Sequence, residues 1–218
     1  MEDCFENINS ALFKGISPQE LKVMLNCLGH HSGSYKKGEI IFREGEELKH
    51  IGVVLSGSVD VVKEDRLGNR NSFARIFKGE LFGMAFACAS DRQSVVSYVT
   101  AEDAHVLFLP IERVMHTCDN TCAFHQRLVV NLAGIIADEG RKLVSKLEIV
   151  TKRSIREKIL AYLSIQQRSG SSEYMEIPLG RTELADYLCV DRSALTRELG
   201  KMKKEGVIDY DGNCFKIL

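Results

Sequence analysis

A run of polar side chains near the end of the chain falls on one predicted helix. The segment VDRSALTRELGKMKKEG, residues 190–206, places leucine and methionine at intervals of three and four residues, which predicts a helix with one buried face. Four polar residues fall away from that face: Arg192, Ser193, Thr196 and Arg197. An arginine fork matches O6 and N7 of guanine together, and hydroxyl groups can contact phosphates or base edges. These four residues are therefore candidates for reading DNA.

The segments around this helix predict a helix-turn-helix. RTELADYL, residues 181–188, has an apolar face of its own, and CVD, residues 189–191, forms the turn. Asp191 is a favourable N-cap for the second helix, because its carboxylate can accept hydrogen bonds from exposed N–H groups. A short strand, YMEIPL, and a final hairpin that turns at Asp211–Gly212 would add a wing. In such a unit the start of the second helix enters the major groove.

Lysines later in the second helix would support DNA binding in a different way. We expect Lys203, in the segment KMKK, to contact a phosphate and so to make binding sensitive to salt. An ordinary solvated helix face is the alternative, since polar residues opposite a leucine stripe prove little by themselves. The combination of cap, turn length, arginine placement and wing favours DNA binding.

A second group of chemically capable residues lies in the segment HTCDNTCAFH, which ends at His125. If this segment is helical, Cys118, Cys122 and His125 share one face and could bind a soft metal ion, with Cys88 or His116 as a further ligand. The pair Cys118 and Cys122 could instead respond to oxidation. Small cysteines buried where a helix meets a barrel are the alternative, because C-x3-C is a weak signal.

The elements that must position these groups change along the chain. Before residue 35, Ser17–Pro18 predicts the start of a helix. Residues 35–109 contain short runs rich in β-branched and aromatic residues, separated by glycines, which predicts a small antiparallel roll or barrel. The runs are EIIF, IGVVL, SVDVV, SFARIF, SVVSYV and AHVLFL. RLGNR, residues 66–70, predicts a hairpin turn within this region.

A long helix is predicted from about Asn120 to Val150. Its apolar residues form two neighbouring stripes with coiled-coil-like spacing. One stripe is Val129, Leu132, Ile136, Leu143, Leu147 and Val150, with Gly140 in its gap, and the other is Phe124, Leu128 and Ile135. One stripe can cover the roll while the other meets a partner helix, because a helix about 45 Å long would overhang a roll of this size. We therefore expect a homodimer, with complete burial of the helix within one chain as the alternative.

These patterns predict an α+β protein in three parts. Residues 1–119 would form a sensor roll with N-terminal helices, residues 120–150 a dimerisation helix, and residues 151–218 a winged helix-turn-helix. The composition, 44% hydrophobic with a net charge of −1, can fill a core but does not itself indicate a nucleic-acid partner. The acidic N-terminus, the lack of a long apolar run and the scattered cysteines lead us to expect a cytoplasmic protein.

Several separate segments are similar to the Crp–Fnr family of transcription regulators. YKKGEIIFREGEELKHIGVVLSGSVDVV resembles the family's cyclic-nucleotide-binding roll, GELFG at 79–83 the start of its ligand loop, and RTELADYLCVDRSALTREL its helix-turn-helix. The resemblance covers roughly residues 15–218 in the family's order. It implies a homodimer that binds a palindromic DNA operator, works with RNA polymerase and has no enzymatic activity. Family members commonly have glutamate at the position of Ser193, so the half-site that Arg197 would read is left open.

The resemblance also implies an effector pocket formed by the roll and the long helix. Its candidate residues are Gly79, Glu80, Leu81, Arg92 and Glu139. Relatives that bind cyclic AMP hold its phosphate with an arginine followed by a small residue, whereas Arg92 precedes Gln93, and Glu139 would repel a phosphate. We therefore expect an effector other than cyclic AMP, whose identity is open.

The sequence gives weaker support to an iron–sulfur centre, to a metalloenzyme and to a metal or redox response. The oxygen-sensing relatives need an N-terminal cysteine cluster for an iron–sulfur centre, but only Cys4 and Cys27 lie in that region, so we do not expect this cofactor. A cupin-like metalloenzyme would need histidines and carboxylates clustered on strands. Such clustering is not evident among four histidines of the roll region: His30, His31, His50 and His105. A regulator that responds to metal or oxidant through Cys118 and Cys122 stays open.

Overall fold

The structure is a computed structural model that describes residues 8–64, 70–116, 123–168 and 174–218. Contacts divide the chain into two compact units, Met1–Ala137 and Asp138–Leu218. The predicted RLGNR turn lies almost entirely outside the described residues, as do Cys118 and Cys122. Among the described helices, none combines the length and the apolar character that crossing a bilayer requires.

The first unit begins with two short helical elements. They are a 3-10 helix, Ala11–Phe13, and α1, Pro18–Leu28. Ser17 Oγ accepts a hydrogen bond from Glu20 N at 3.3 Å, and the Glu20 carboxylate accepts one from Ser17 N at 2.8 Å. This reciprocal capping, with proline in the first turn, confirms the helix start predicted at Ser17–Pro18.

Antiparallel strands build the roll of the first unit. The strands are β1 His31–Tyr35, β2 Ile40–Phe42, β3 His50–Ser56, β4 Val59–Glu64, β5 Arg70–Ile76, β6 Leu81–Phe82, β7 Ser97–Thr100 and β8 Ala104–Pro110. They form two sheets with the orders β1-β8-β3-β6 and β2-β7-β4-β5. Each of the six predicted runs contains a strand, whereas β1 was not predicted, because HSGSY has little strand propensity and is held by its pairing with β8.

Aromatic rings pack inside the roll. Phe42, Phe82, Tyr98 and Phe108 contact one another with ring centroids 5.1 to 6.5 Å apart. Gly52 leaves room for this cluster, since a Cβ at that position would lie 2.2 Å from Phe82 Cζ. Burial raises the pKa of Tyr98 to about 12, so its hydroxyl stays neutral there.

One short helix lies within the roll and two helices follow it. They are α2, Met84–Ala87, after β6, then α3, Ile111–Met115, after β8, and the long helix α4, Ala123–Val150. Leu128 and Leu132 of α4 are buried in the core of the first unit, and Ile135 and Ile136 pack against it. Both predicted stripes therefore contribute to one core, so the assignment of one stripe to the roll and the other to a partner is wrong in this half of the helix.

A different apolar seam remains exposed along α4. Exposed apolar residues and glycine recur at alternating intervals of three and four: Val130, Ala133, Ala137, Gly140, Val144 and Leu147. Leu143 lies beside this seam and is 68% exposed. In the first half of α4 the seam lies one residue after the predicted stripe, because the side chains of that stripe at Leu132 and Ile136 turn towards the roll. Gly140 and Leu147 belong to both the predicted stripe and the seam.

The second unit has the order predicted for a winged helix-turn-helix. Its elements are α5 Ile155–Arg168, β9 Met175–Glu176, α6 Arg181–Leu188, α7 Arg192–Lys204, β10 Ile208–Asp211 and β11 Cys214–Ile217. The strands pair antiparallel in the order β10-β11-β9. Asp211 pairs with Cys214, so the hairpin loop is Gly212–Asn213, one residue later than predicted. Apolar residues of α5, α6 and α7 share one buried core with Phe215.

Candidate nucleic-acid interface

The turn between α6 and α7 places the candidate reading helix. Cys189 ends α6 in the left-handed conformation, with φ of 52°, and Val190 N then donates to Ala185 O at 3.0 Å. Asp191 Oδ1 accepts a hydrogen bond from Ala194 N at 2.9 Å, which confirms the predicted N-cap. The hydroxyl of Ser193 donates to the same oxygen, and these two bonds lower the pKa of Asp191.

The candidate reading residues lie together on the exposed side of α7. Leu195, Leu199 and Met202 are buried beneath the helix. Four residues of its first two turns are exposed: Arg192, Ser193, Thr196 and Arg197. Thr196 Oγ1 donates to Arg192 O at 2.9 Å, so its hydroxyl can offer only its oxygen lone pairs to a partner. Neither arginine forms a salt bridge within the described part of the chain, and both guanidinium groups remain available for a polyanion.

Lys203 has partners within the protein. Its Nζ lies 2.7 Å from Asp209 Oδ1 and donates to Tyr210 O at 2.7 Å. Asp209 raises the pKa of Lys203 through this contact. A phosphate would compete with both bonds, so the predicted phosphate contact stays a prediction. Lys204, in the same KMKK segment, is exposed and forms no salt bridge with any described residue, which makes it a second candidate for the phosphate contact.

Arg181, in the first turn of α6, holds the hairpin loop of the wing. Its Nη2 donates to Gly212 O at 2.8 Å in the hairpin loop. The guanidinium lies over the rings of Phe215 and Tyr210, at 4.8 and 5.0 Å from their centroids. The sequence offers no local signal for this role, since Gly212 follows Arg181 by 31 residues.

The candidate effector residues have separate partners. Gly79 has a φ of 88°, and a Cβ there would lie 2.2 Å from Asn9 O, so only glycine fits this turn. The Glu80 carboxylate accepts a hydrogen bond from Phe77 N at 2.8 Å within the same turn, and Leu81 is buried. Glu139, which belongs to the second unit, pairs with Lys142 at 2.6 Å.

Arg92 pairs with a helix that follows the roll. Its φ is 52°, and Arg92 Nη1 donates to Glu112 Oε1 of α3 at 2.9 Å, which lowers the pKa of Glu112. A cavity of about 410 Å³ adjoins this pair. Its other lining residues are Cys27, Leu28, Arg113, His116 and His125. None of these contacts joins Arg92 to Glu80 or Glu139, so their assembly into one pocket stays a prediction.

Of the candidate metal ligands in the segment HTCDNTCAFH, His116 and His125 lie within the described residues. His125 is buried, and its Nε2 lies 3.2 Å from Val114 O, which occupies one ring nitrogen. The described residues contain no group of three or more histidine, cysteine, aspartate or glutamate residues suited to a metal ion. Metal binding or oxidation at Cys118 and Cys122 therefore remains untested.

Two of the four roll histidines, His31 and His50, are neighbours, although they belong to no described group of three or more metal-ligating residues. The rings of His31 and His50 lie 5.0 Å apart in an edge-to-face contact, and His31 also stacks on Phe108 at 4.9 Å. The two histidines begin strands that both pair with β8, which brings them together across the sheet.

Comparisons with known proteins match both units. Residues 33–121 match the model of the cyclic nucleotide-binding domain, and residues 157–218 match the Crp-like helix-turn-helix domain. The chain is 26% identical over 202 residues to the cyclic AMP receptor protein of Thermus thermophilus, covering 91% of this chain and 88% of that protein. It is 22% identical over 189 residues to the transcriptional activator protein anr of Pseudomonas aeruginosa, covering 84% of this chain and 75% of that protein.

A solved structure has the same fold. The crystal structure of the Thermus thermophilus catabolite activator protein matches with a TM-score of 0.56 and 24% sequence identity, covering 96% of this chain and 94% of that chain. The roll, the long helix and the winged helix-turn-helix occur in the predicted order, and the α+β fold class is confirmed. The two domain models together, with relatives that are transcription regulators, place this chain in the Crp–Fnr family of DNA-binding transcription regulators.

Proposed function

We propose that this regulator binds a palindromic DNA operator as a homodimer and reads it with the first two turns of α7. The observation that carries the proposal is the exposed face of that helix, where Arg192 and Arg197 form no salt bridge within the described residues. The buried leucine and methionine side chains hold the opposite face, so the arginines project from a supported helix. Residues 1–119, 120–150 and 151–218 then act as sensor, dimerisation helix and DNA-binding domain.

The exposed seam of α4 supports the homodimer. Val130, Val144 and Leu147 are 60 to 68% exposed, which is unfavourable for a helix in water. The alternating spacing is that of a coiled coil, and the small residues Ala133 and Ala137 would let a second α4 approach closely. A symmetric pair would place two recognition helices about 34 Å apart, one turn of DNA.

Selection of bound duplexes from a random pool tests this function. We expect the wild type to enrich a palindrome whose half-sites are about one helical turn apart. The selection should be repeated with oxidised and reduced protein and with candidate nucleotides, with Arg197→Ala as the matched variant. Failure of the wild type to enrich any sequence under all of these conditions would contradict the proposal.

We further propose that the effector is a small molecule other than cyclic AMP. The Thermus thermophilus relative is named as a cyclic AMP receptor, but in this chain Arg92 pairs with Glu112 and the Glu80 carboxylate is bonded within its own turn. Arg92 is then not free to bind a cyclic phosphate, and the Glu80 carboxylate would repel one. Cyclic AMP should leave the melting temperature and the operator affinity of the protein unchanged, and a concentration-dependent rise in both would contradict this proposal.

Two further proposals concern the setting in which this regulator works. The DNA-bound dimer would contact RNA polymerase to change transcription, as the resemblance to the family implies. The site of action would be the cytoplasm, since the described cysteines, Cys27, Cys88, Cys189 and Cys214, are free thiols.

A further inference from the structure

One arginine of α5 binds two carboxylates of α7. Arg156 Nε lies 2.7 Å from Glu198 Oε1, and Arg156 Nη1 lies 2.7 Å from Glu205 Oε2. The three side chains are 33%, 23% and 39% exposed, respectively. Water therefore competes less for these bonds than for a fully exposed surface pair. We refer to Arg156, Glu198 and Glu205 as the α5–α7 clamp.

The clamp holds α7 at two levels. Glu198 follows Arg197 directly, while Glu205 is the C-cap of the helix, so the two carboxylate-bearing residues are about two helical turns apart. A planar guanidinium has fixed donor directions, unlike the aliphatic side chains beneath α7. Two directional contacts at different heights restrain both the rotation of α7 about its axis and its movement along that axis.

The base of the clamp is itself well anchored. Ser154 N and Ser154 Oγ donate to the Glu157 carboxylate at 3.0 Å, and Glu157 N donates back to Ser154 Oγ at 3.2 Å. This capping fixes the first turn of α5, from which Arg156 extends. Among the described residues Arg156 Nη2 is buried without a hydrogen-bond partner, which costs free energy.

We propose that Arg156 is a positioning residue for base recognition, which sets the rotation at which α7 presents Arg197 to the DNA. A partly buried ion pair can contribute more to selecting one arrangement than to stability itself. A small rotation of α7 would displace the Arg197 guanidinium from a bidentate contact with a base but leave its charge near the phosphates. This inference rests on the proposed function of α7.

The test compares two substitutions that each remove one positive charge. Arg156→Met keeps the length of the side chain but removes the clamp, whereas Arg153→Met removes an exposed arginine that forms no salt bridge with a described residue. Dissociation constants are measured at one salt concentration on the best selected duplex and on a random duplex. We expect Arg156→Met to lower the ratio of specific to random affinity about tenfold or more, the loss expected from one misplaced base contact. Arg153→Met should leave that ratio unchanged.

A charge exchange separates positioning from simple support of the fold. The triple variant Arg156→Glu, Glu198→Arg and Glu205→Gln restores one ion pair without opposing two carboxylates, and it should recover part of the lost ratio. Where Arg156→Met fails to fold, as judged by circular dichroism, Glu198→Gln and Glu205→Gln replace it, because each removes one contact at nearly constant volume. If the folded clamp variants keep the wild-type ratio of specific to random affinity, the inference is overturned. A wild type that does not distinguish the two duplexes would instead contradict the proposed function.

Discussion

Five cationic side chains of the second unit form two groups, distinguished by whether the protein itself binds them. Arg156, Arg181 and Lys203 are bound by carboxylates, a backbone carbonyl or aromatic rings of the same unit. Arg192 and Arg197 are exposed and form no salt bridge within the described residues. Residue type alone does not separate these groups, although only the second is free to bind DNA without breaking contacts inside the protein.

Arg197→Ala should weaken specific DNA binding by about 1–3 kcal/mol and relax the preference at one base position. The reason is that a bidentate arginine contact discriminates among bases, whereas contacts to phosphates do not. Dissociation constants on the selected duplex and on its single-base variants measure both effects. An equal loss of affinity for specific and random DNA would argue against direct reading of a base.

His50 should make the first unit sensitive to mild acid. Burial, reinforced by the neighbouring His31 and Lys49, lowers the pKa of His50 below its ordinary value of about 6.5. The unfolded chain therefore binds more protons, so stability is lost as the pH falls from about 6.5 towards the folded pKa. The free energy of unfolding, measured from pH 8 to pH 5, should fall more for the wild type than for His50→Gln. Parallel curves for the two proteins would exclude this contribution.

At the scale of elements, the reading helix is connected to its surroundings on several sides. Asp191 caps its start, the α5–α7 clamp holds one side, and Lys203 joins it to β10. Arg181 joins the first turn of α6 to the loop of the wing. These polar contacts thus restrain the rotation of α7 about its axis and its movement along that axis, which its apolar face restrains less.

The two lysines near the end of α7 should differ in their effect on the salt dependence of DNA binding. Lys204→Ala should lower the slope of log affinity against log salt by about one unit, because its ammonium group is free to neutralise a phosphate. Lys203→Ala should lower the slope less, since Asp209 already neutralises that charge. Titrations of a random duplex between 50 and 200 mM salt give both slopes. Equal reductions of the two slopes would indicate that Lys203 also contacts a phosphate, despite its contacts with Asp209 and Tyr210.

At the scale of the whole molecule, the seam of α4 determines whether two reading helices can act together. Val144→Glu would place a charge within the proposed coiled coil, where it would lose its hydration without gaining a partner. We expect this variant to be a monomer of 24.4 kDa by light scattering, with a large loss of operator affinity. Ser145→Glu adds the same charge at the next residue of the helix, outside the seam, and should stay dimeric. A Val144→Glu variant that keeps the dimer mass would place the interface elsewhere.

Patterns of neighbouring residues were sufficient for most of the elements and for the resemblance to the family. The Ser17 and Asp191 caps, the bounds of α6, the six strand runs and the spacing of the α4 seam depend on residues within one or two turns of each other. Local hydrogen bonds and hydrophobic periodicity dictate these features, so they are readable without a fold.

Only the tertiary structure decided which side chains meet. The carboxylate and carbonyl partners of Arg92, Arg156 and Arg181 lie 20 to 49 residues away in the sequence, and β1 exists because β8 pairs with it. The side of α4 that faces the roll depends on the rotation of the helix as packed, which displaced the exposed seam by one residue in the first half of the helix. Periodicity defines a face of a helix, but the direction in which that face points follows from long-range packing that sequence spacing does not encode.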